Sequence, residues 1–166
     1  AEEGWLAAVA DAYREFPDVH LTIAGGKHRE GSDEYMQRLQ ETIEENGVED
    51  RVTITGVLPS EDHVNAYIME ADVVALPFDE ISQSATLAKT LALGTVPVVT
   101  PLDTLRPLIE EYGGIMIEED APTQLWLGIQ TALRNSEDIH SEKLRHDLSW
   151  DRNAIVYDEI YQEVLA

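Results

Sequence analysis

The chain has 166 residues, the length of one compact domain, and 43% of them are apolar, which is too many for a disordered acidic chain. Its 33 acidic residues against 11 Lys and Arg give a net charge of −22, so a nucleic acid is not expected as a partner because phosphate contacts require cations. The sequence has no cysteine, which excludes disulfides and thiolate metal sites. No apolar run is long enough to span a membrane and no leader pattern opens the sequence, so we expect neither membrane insertion nor secretion.

The acidic residues are spread over the predicted exposed faces, and only three lysines occur, Lys27, Lys89 and Lys143. At low salt this much like charge repels itself in the compact state, whereas molar salt shortens the Debye length to about 3 Å and removes most of the repulsion. The composition therefore predicts the protein of a halophile, working in a high-salt cytoplasm. The alternative is an ordinary acidic protein, whose melting temperature would be nearly independent of KCl.

Short apolar runs bounded by turn residues predict strands, and apolar residues three or four apart predict the helices between them. The first predicted helix carries Trp5 and Phe16 and stops at Pro17. Strands are predicted at 19–24, 51–55, 72–76, 96–99 and 114–117. Helices are predicted from a cap at Ser32 to a left-handed turn at Gly47, from a cap at Ser60 to Ala71, over 85–93 and over 105–112.

After Pro122 the spacing predicts two helices and no further strand. One carries Leu125 and Leu133 on its apolar face, and a longer final helix begins at an Asp151 cap. The stretch 137–142 has the weakest pattern and is predicted to be a surface connection. The tryptophans and the tyrosines of the last helix fall at helical spacing, which favours core packing over a platform for sugar stacking.

Short apolar strands that alternate with helices predict a parallel sheet with helices on both faces. We therefore expect an α/β fold: a single three-layer Rossmann-like domain over residues 1–166, with about five strands and with helices at its C-terminal end. No internal repeat or linker interrupts the pattern.

The loop after the third strand, 77–86, is the first candidate for a ligand site. Ligands bind such sheets beyond the carboxyl ends of the strands, where the following helices present free amides and the positive end of their dipole. The loop is polar, and its small side chains let a diphosphate approach the amides near Ser84 to Thr86. The alternative is that Ser82 or Ser84 is simply an N-cap and that the acids of the loop are solvated.

A second candidate follows the first strand, where Gly25 and Gly26 let the backbone approach a ligand and Lys27 or Arg29 could meet its charge. The cluster lacks the third glycine of a dinucleotide-binding fingerprint, and a glycine pair that closes a strand is more often a turn. The five histidines show no metal-ligand spacing, and none lies beside an evident nucleophile, so no metal site is predicted.

Several phrases occur in a specific order along nearly the whole chain: Ala24-Gly25-Gly26, Arg51-Val52 with Gly56, Ala71-Asp72, and Gly94 before Pro97-Val98-Val99. Together they resemble the C-terminal, nucleotide-sugar-binding domain of group 1 glycosyltransferases, the retaining family-4 type with a GT-B fold. The resemblance implies two Rossmann-like domains that face each other across a cleft. This one would hold the sugar nucleotide, and an N-terminal domain absent from this chain would hold the acceptor.

The resemblance further implies a metal-independent hexosyltransferase without a cofactor, which moves a sugar from a nucleotide-sugar donor to a glycan or lipid-linked acceptor. It implies a cytoplasmic enzyme, in solution or peripheral to a membrane. An isolated donor-binding half is expected to bind its donor weakly and to be inactive, because the catalytic cleft needs its opposite wall.

By resemblance, the loop after the third strand holds the diphosphate and the sugar on its backbone amides. Together with the cluster after the first strand and the helix that follows the loop, this gives the predicted donor-binding residues: Gly25, Gly26, Lys27, Glu80, Ser82, Gln83, Ser84, Ala85, Thr86 and Lys89. The family usually has two glutamates here, one for the sugar hydroxyls and one for the ribose, and those positions hold Ile81 and Lys89. The adjacent Glu80 is then the candidate for the catalytic carboxylate. These departures favour one alternative, a GT-B-like binding or scaffold domain without activity. A sugar-nucleotide epimerase of related architecture is a second alternative, although its expected acid-base residues are not evident in the loops.

Overall fold

The computed structural model of the chain describes residues 16, 18–24, 32–119, 121–135 and 139–165. The strands among them are β1 Leu21–Ile23, β2 Val52–Ile54, β3 Val73–Leu76, β4 Val96–Val99 and β5 Ile115–Met116. The helices are α1 Ser32–Asn46, α2 Glu61–Glu70, α3 Ala85–Leu93, α4 Arg106–Tyr112, α5 Pro122–Arg134, α6 Ser141–Asp147 and α7 Trp150–Leu165, and a short 3-10 turn, Glu49–Arg51, precedes β2. The helix predicted before Pro17 lies outside the described residues, apart from Phe16.

All strand pairs are parallel, which confirms the α/β fold with its five strands. The pairing of the strands differs from the prediction, because they form two sheets where a single sheet was expected. Within the described ranges β1 pairs only with β2, and β4 lies between β3 and β5 in a separate three-stranded sheet. An apolar run identifies a strand but not its neighbour, since pairing depends on packing between distant parts of the chain.

Helices cover both faces of the three-stranded sheet. Alternate residues of each strand point to opposite faces, so the sheet contributes to two separate cores. Leu76 of β3 and Val99 of β4 join a core with α3 and α4. Val98 of β4 and Ile117, just beyond β5, join a second core with Leu125 of α5. Helix α5 packs on all three strands, whereas α3 and α4 pack on β4 and β5. This part of the chain therefore has the predicted three layers.

The two-stranded sheet has a core of its own. Leu39 and Ile43 of α1 pack with Val48 against apolar residues of β1 and β2. The alternate strand residues, Thr22 and Thr53, are exposed. Among the described residues this sheet is thus covered on one face. The helix predicted before Pro17 lies outside those residues, so cover of the other face stays a prediction.

Helix α3 has the predicted limits, 85–93, and both of its ends have a local cause. The Ser84 hydroxyl accepts a hydrogen bond from the Leu87 amide at 3.0 Å, the usual N-cap contact. Gly94 ends the helix in the left-handed conformation at φ 84°, where its N–H donates to the carbonyl of Leu91. The cap and the terminal glycine are both readable from the sequence.

Two features of the C-terminal region differ from the prediction. A third helix, α6, lies between the two predicted ones and begins at the end of the stretch 137–142; its single fully buried apolar residue, Leu144, is too little to produce a periodic signal. Within that stretch, residues 139–140 form a connection, as predicted, and residues 137–138 lie outside the described ranges. The cap of α7 is Ser149, whose hydroxyl accepts from the Arg152 amide at 3.2 Å, so Asp151 lies in the first turn. An aspartate in the first turn still favours the helix through its dipole.

The aromatic residues of α7 are also placed differently from the prediction. Trp150 is 91% exposed, and Tyr157 and Tyr161 are mostly exposed, so they do not pack in a core among the described residues. Trp126 on α5 is half-buried and meets Phe16 edge to face, with ring centroids 5.9 Å apart. Helical spacing shows which residues share a face but not whether another element covers it.

None of the helices in the described ranges combines the length and the apolar character that crossing a membrane requires. The same ranges contain no group of three or more His, Asp or Glu side chains arranged to hold a metal ion.

Candidate functional site

The candidate loop leaves the sheet at the carboxyl end of β3 and is folded back onto the core. Leu76, the last residue of β3, is buried, and its carbonyl accepts from the Phe78 amide at 3.0 Å. Phe78 and Ile81 are half-buried and pack against the core formed by α3 and α4. Two apolar side chains thus anchor a loop whose other residues are mostly polar.

Two threonines that follow β4 hold the same loop from the side. The Thr100 hydroxyl donates to the Phe78 carbonyl at 2.7 Å, and the Thr104 hydroxyl donates to the Ile81 carbonyl at 2.8 Å. Both bonds join the loop after β3 to the loop after β4. Sequence reasoning missed these threonines because a hydroxyl at the end of a strand carries no mark of a partner 22 or 23 residues away.

The loop ends at the N-terminus of α3, where two backbone donors remain open. The Leu87 amide is satisfied by Ser84, and the Ala88 amide donates to the Ser84 carbonyl at 3.1 Å. No described residue accepts a hydrogen bond from the amides of Ala85 and Thr86, and both residues are exposed. The buried Ser84 hydroxyl fixes the helix start, so these two N–H groups are presented to solvent together with the positive end of the helix dipole.

The remaining predicted donor residues of this loop lie around that helix start. Glu80, Ser82 and Gln83 are exposed. Ile81 lies between them but turns toward the core, so it cannot contact a ligand on the outer side of the loop. Ser84 is an N-cap, as one of the predicted alternatives held, and the neighbouring amides stay open because the cap satisfies only Leu87.

Lys89 lies one helical turn after Ala85 and is half-buried. Its ammonium forms an ion pair with Glu61, the first residue of α2. The residue before α2, Ser60, contacts Nδ1 of His63 with its hydroxyl at 2.8 Å and does not cap the helix through that hydroxyl. The polar start of α2 therefore contacts α3 through the ion pair between Glu61 and Lys89.

Among the described residues, Arg106 is a second cation at this edge, because it begins α4 just after the Thr104 loop. Its Nε lies 3.6 Å from Oδ1 of Asp103, and both side chains are largely exposed. Each of these cations thus already has a carboxylate partner. Arg106 was not among the predicted site residues, because nothing in the sequence around it distinguishes this helix start from an ordinary one.

The other predicted cluster, Gly25, Gly26 and Lys27, lies outside the described residues. Its part in donor binding therefore stays a prediction. Since β1 ends at Ile23, the cluster follows a strand, as the sequence indicated.

Three solved structures share the fold of this chain. Sucrose-phosphate synthase from Thermosynechococcus elongatus matches with a TM-score of 0.75 and 18% identity, over 99% of this chain and 43% of its own. Anabaena Alr3699/HepE in complex with UDP matches with a TM-score of 0.78 and 16% identity, over 95% of this chain and 44% of its own. A glycosyltransferase from Rickettsia africae matches with a TM-score of 0.73 and 16% identity, over 99% and 45% of the two chains.

The fold is therefore that of one Rossmann-like half of a GT-B glycosyltransferase. The chain belongs to the group 1 glycosyl transferases, whose family model matches residues 3–135. It spans less than half the length of the solved structures named above. No curated protein matches the chain.

Proposed function

We propose that this domain is the donor-binding, C-terminal half of a retaining hexosyltransferase, with the diphosphate of a nucleotide sugar bound at the start of α3. The observation that carries the proposal is the pair of open, exposed amides of Ala85 and Thr86 at the carboxyl edge of a parallel sheet. Two adjacent N–H groups and a helix dipole stabilise the negative charge that develops on a departing nucleoside diphosphate. The HepE structures, which contain UDP or UDP and glucose, support the nucleotide class.

The other residues of the loop have defined parts in the proposal. Ser82 and Gln83, both exposed, offer side-chain hydrogen bonds to the diphosphate or the sugar, and Lys89 supplies a positive charge one turn below the open amides. Glu80 is the exposed carboxylate that would contact the sugar hydroxyls, because Ile81 packs into the core. Gly25, Gly26 and Lys27 would complete the donor site from the turn after β1.

The whole enzyme would carry a second, acceptor-binding domain, and the acceptor would be a glycan or a lipid-linked glycan. The backbone amides do the work that a metal ion does in other transferases, so the proposed reaction needs neither metal nor cofactor. The net charge of −22 supports a high-salt cytoplasm as its place of action, free or at a membrane surface.

Isothermal titration of the chain with UDP, GDP and ADP in molar KCl tests donor binding. We expect one of the three to bind at a single site, and weakly, because half of the cleft is missing. If none binds, either to this chain or to a longer polypeptide that contains it, the proposal is wrong.

One observation favours a second function, a GT-B-like binding or scaffold domain that retains the fold without transfer. Ile81 is part of the core packing, and Lys89 is paired with Glu61, so neither of the two positions where the resemblance expects a glutamate carries a carboxylate. A turnover assay of the full-length protein separates the two functions. Nucleotide binding without sugar transfer would support the scaffold.

A further inference from the structure

The ion pair between Lys89 and Glu61 joins the starts of two helices beside the proposed donor site. Lys89 lies in the second turn of α3, and Glu61 is the first residue of α2. Their side chains are 36% and 74% exposed, so the pair is open to solvent and can exchange partners. Exposed ion pairs of this kind contribute little to stability, and for that reason they open at little cost.

Two contacts show that α2 and α3 run side by side in the same direction. Lys89, in the middle of α3, meets Glu61 at the start of α2, and the hydroxyl of Thr95, two residues beyond α3, donates to the Ile68 carbonyl near the end of α2 at 2.8 Å. The two helix starts therefore lie at the same edge of the domain. Glu61 meets α3 at Lys89, which follows Ala85 by about one helical turn.

Lys89 shares the exposed side of α3 with those amides. It follows Ala85 by four residues and Thr86 by three, and residues at these spacings lie on one face of a helix. One turn rises about 5.4 Å, and helical side chains lean toward the N-terminus. From the same backbone position the flexible lysine side chain can reach either the Glu61 carboxylate or an anion bound to the amides of Ala85 and Thr86.

We infer that Glu61 is a counter-ion that competes with the donor diphosphate for Lys89 and thereby sets the affinity of the site. In the free domain the ammonium is held by Glu61. When a nucleoside diphosphate binds to the amides of α3, the ammonium turns to its oxygens and the Glu61 carboxylate is released to solvent. The inference rests on the proposed function, because it assumes that the diphosphate occupies the start of α3.

The test is a set of titrations with the nucleoside diphosphate that the wild-type chain binds best among UDP, GDP and ADP. Glu61→Gln removes the competing charge, and we expect it to lower Kd about two- to fivefold, the range that an exposed ion pair supports. Lys89→Gln is expected to raise Kd. In the Lys89→Gln background, Glu61→Gln should have no further effect because its target is absent.

The matched control is Glu70→Gln, which removes one negative charge from the other end of α2, where Glu70 is exposed. If Glu70→Gln and Glu61→Gln raised the affinity by similar factors, the effect would come from the net charge of the domain, and the inference would be overturned. An unchanged or higher Kd for Glu61→Gln overturns it as well, as does an equal gain in the presence and absence of Lys89.

The titrations are made at the lowest KCl concentration that keeps each variant folded by circular dichroism, and again in molar KCl. The competition between Glu61 and the diphosphate should have a larger effect on Kd at low salt. At molar salt the Debye length is only about 3 Å, so the charges are strongly screened. Should Glu61→Gln unfold, Glu61→Ala provides a second variant with the same expected direction. Absence of binding by the wild-type chain and by a longer polypeptide refutes the proposed function, whereas wild-type binding without the Glu61 effect refutes this inference alone.

Discussion

The hydroxyl of Thr100 donates to the carbonyl oxygen of Phe78 at 2.7 Å and so ties the end of β4 to the loop that follows β3. Thr100 is only 2% exposed, and this bond satisfies a carbonyl in the segment that leads to the start of α3. The proposed donor loop is therefore held by a neighbouring strand as well as by its own apolar anchors, which orders it before a ligand arrives.

Thr100→Val should lower the free energy of unfolding by about 1–3 kcal/mol, because the isosteric change leaves the Phe78 carbonyl without its donor. Urea unfolding in molar KCl measures the loss. Thr131→Val is the control, since the Thr131 hydroxyl bonds to the Leu127 carbonyl on the exposed surface of α5 and should change stability by less than about 0.5 kcal/mol. Equal losses for both variants would mean that the hydrogen bond from Thr100 to the loop contributes no more to stability than an exposed hydroxyl does.

Ala85→Pro should weaken nucleoside diphosphate binding about tenfold or more while the melting temperature stays near that of the wild type. Proline at the first helical position removes one of the open amides, and a hydrogen bond to a charged group is worth about 1.5–3 kcal/mol. The extended backbone of Ser84, at φ −124° and ψ 104°, accepts a following proline. Ala85→Ser keeps the amide and is the control; a similar loss of affinity in both variants would contradict a role for the N–H group.

Gly128→Ala should destabilise the domain by about 1–3 kcal/mol through overpacking. A Cβ at Gly128 would lie 2.7 Å from Cγ1 of Val98 and 3.0 Å from Cγ2 of Ile117, where α5 crosses the three-stranded sheet. Thermal unfolding measures the change. Leu127→Ala alters the preceding, half-exposed residue of the same helix and should cost much less. A Gly128→Ala variant as stable as the wild type would show that the side chains around Gly128 shift to accommodate the added methyl group at little cost.

Asp147→Asn should make the protein less sensitive to acid. The hydrogen bond from Lys143, at 2.7 Å, is the main cause that lowers the pKa of Asp147 in the folded state, and the hydroxyl of Tyr112 adds a second donor at 3.1 Å. A carboxyl whose pKa is lower in the folded state contributes stability above its unfolded pKa of about 4, and that contribution is lost as the pH falls through the folded pKa.

The difference in unfolding free energy between the wild type and Asp147→Asn should therefore be constant near neutral pH and shrink below about pH 4. Urea titrations over this pH range measure it. Glu142→Gln, an exposed change in the first turn of the same helix, controls for the loss of one negative charge. A difference that stays constant into the acid range would mean that the Lys143 contact does not favour the charged carboxylate.

The melting temperature should rise strongly from low to molar KCl. The net charge of −22 repels itself in the folded state, and molar salt screens charges beyond about 3 Å. Calorimetry over a KCl series measures the rise. Sorbitol in place of KCl controls for solvent effects unrelated to charge, and a melting temperature indifferent to KCl would indicate an ordinary acidic protein.

Short-range patterns were enough to predict the α/β fold and the five strands, and the order of short phrases along nearly the whole chain was enough to predict the family. The limits of α3 could be predicted because both signals, Ser84 before the helix and Gly94 after it, act within a few residues of the helix ends. The loop after β3 could be selected as the candidate site for a similar reason, since strand, polar loop and helix cap follow one another directly.

Contacts between residues far apart in the chain decided the rest. The bonds of Thr100 and Thr104 to the loop span 22 and 23 residues, and the pair of Lys89 and Glu61 spans 28, so no local pattern announces them. The same holds for the division into two sheets and for the exposed aromatic residues of α7. Periodicity shows which side chains share a face of an element, whereas the element that covers that face, or the partner that meets a given charge, is set by the way the whole chain packs.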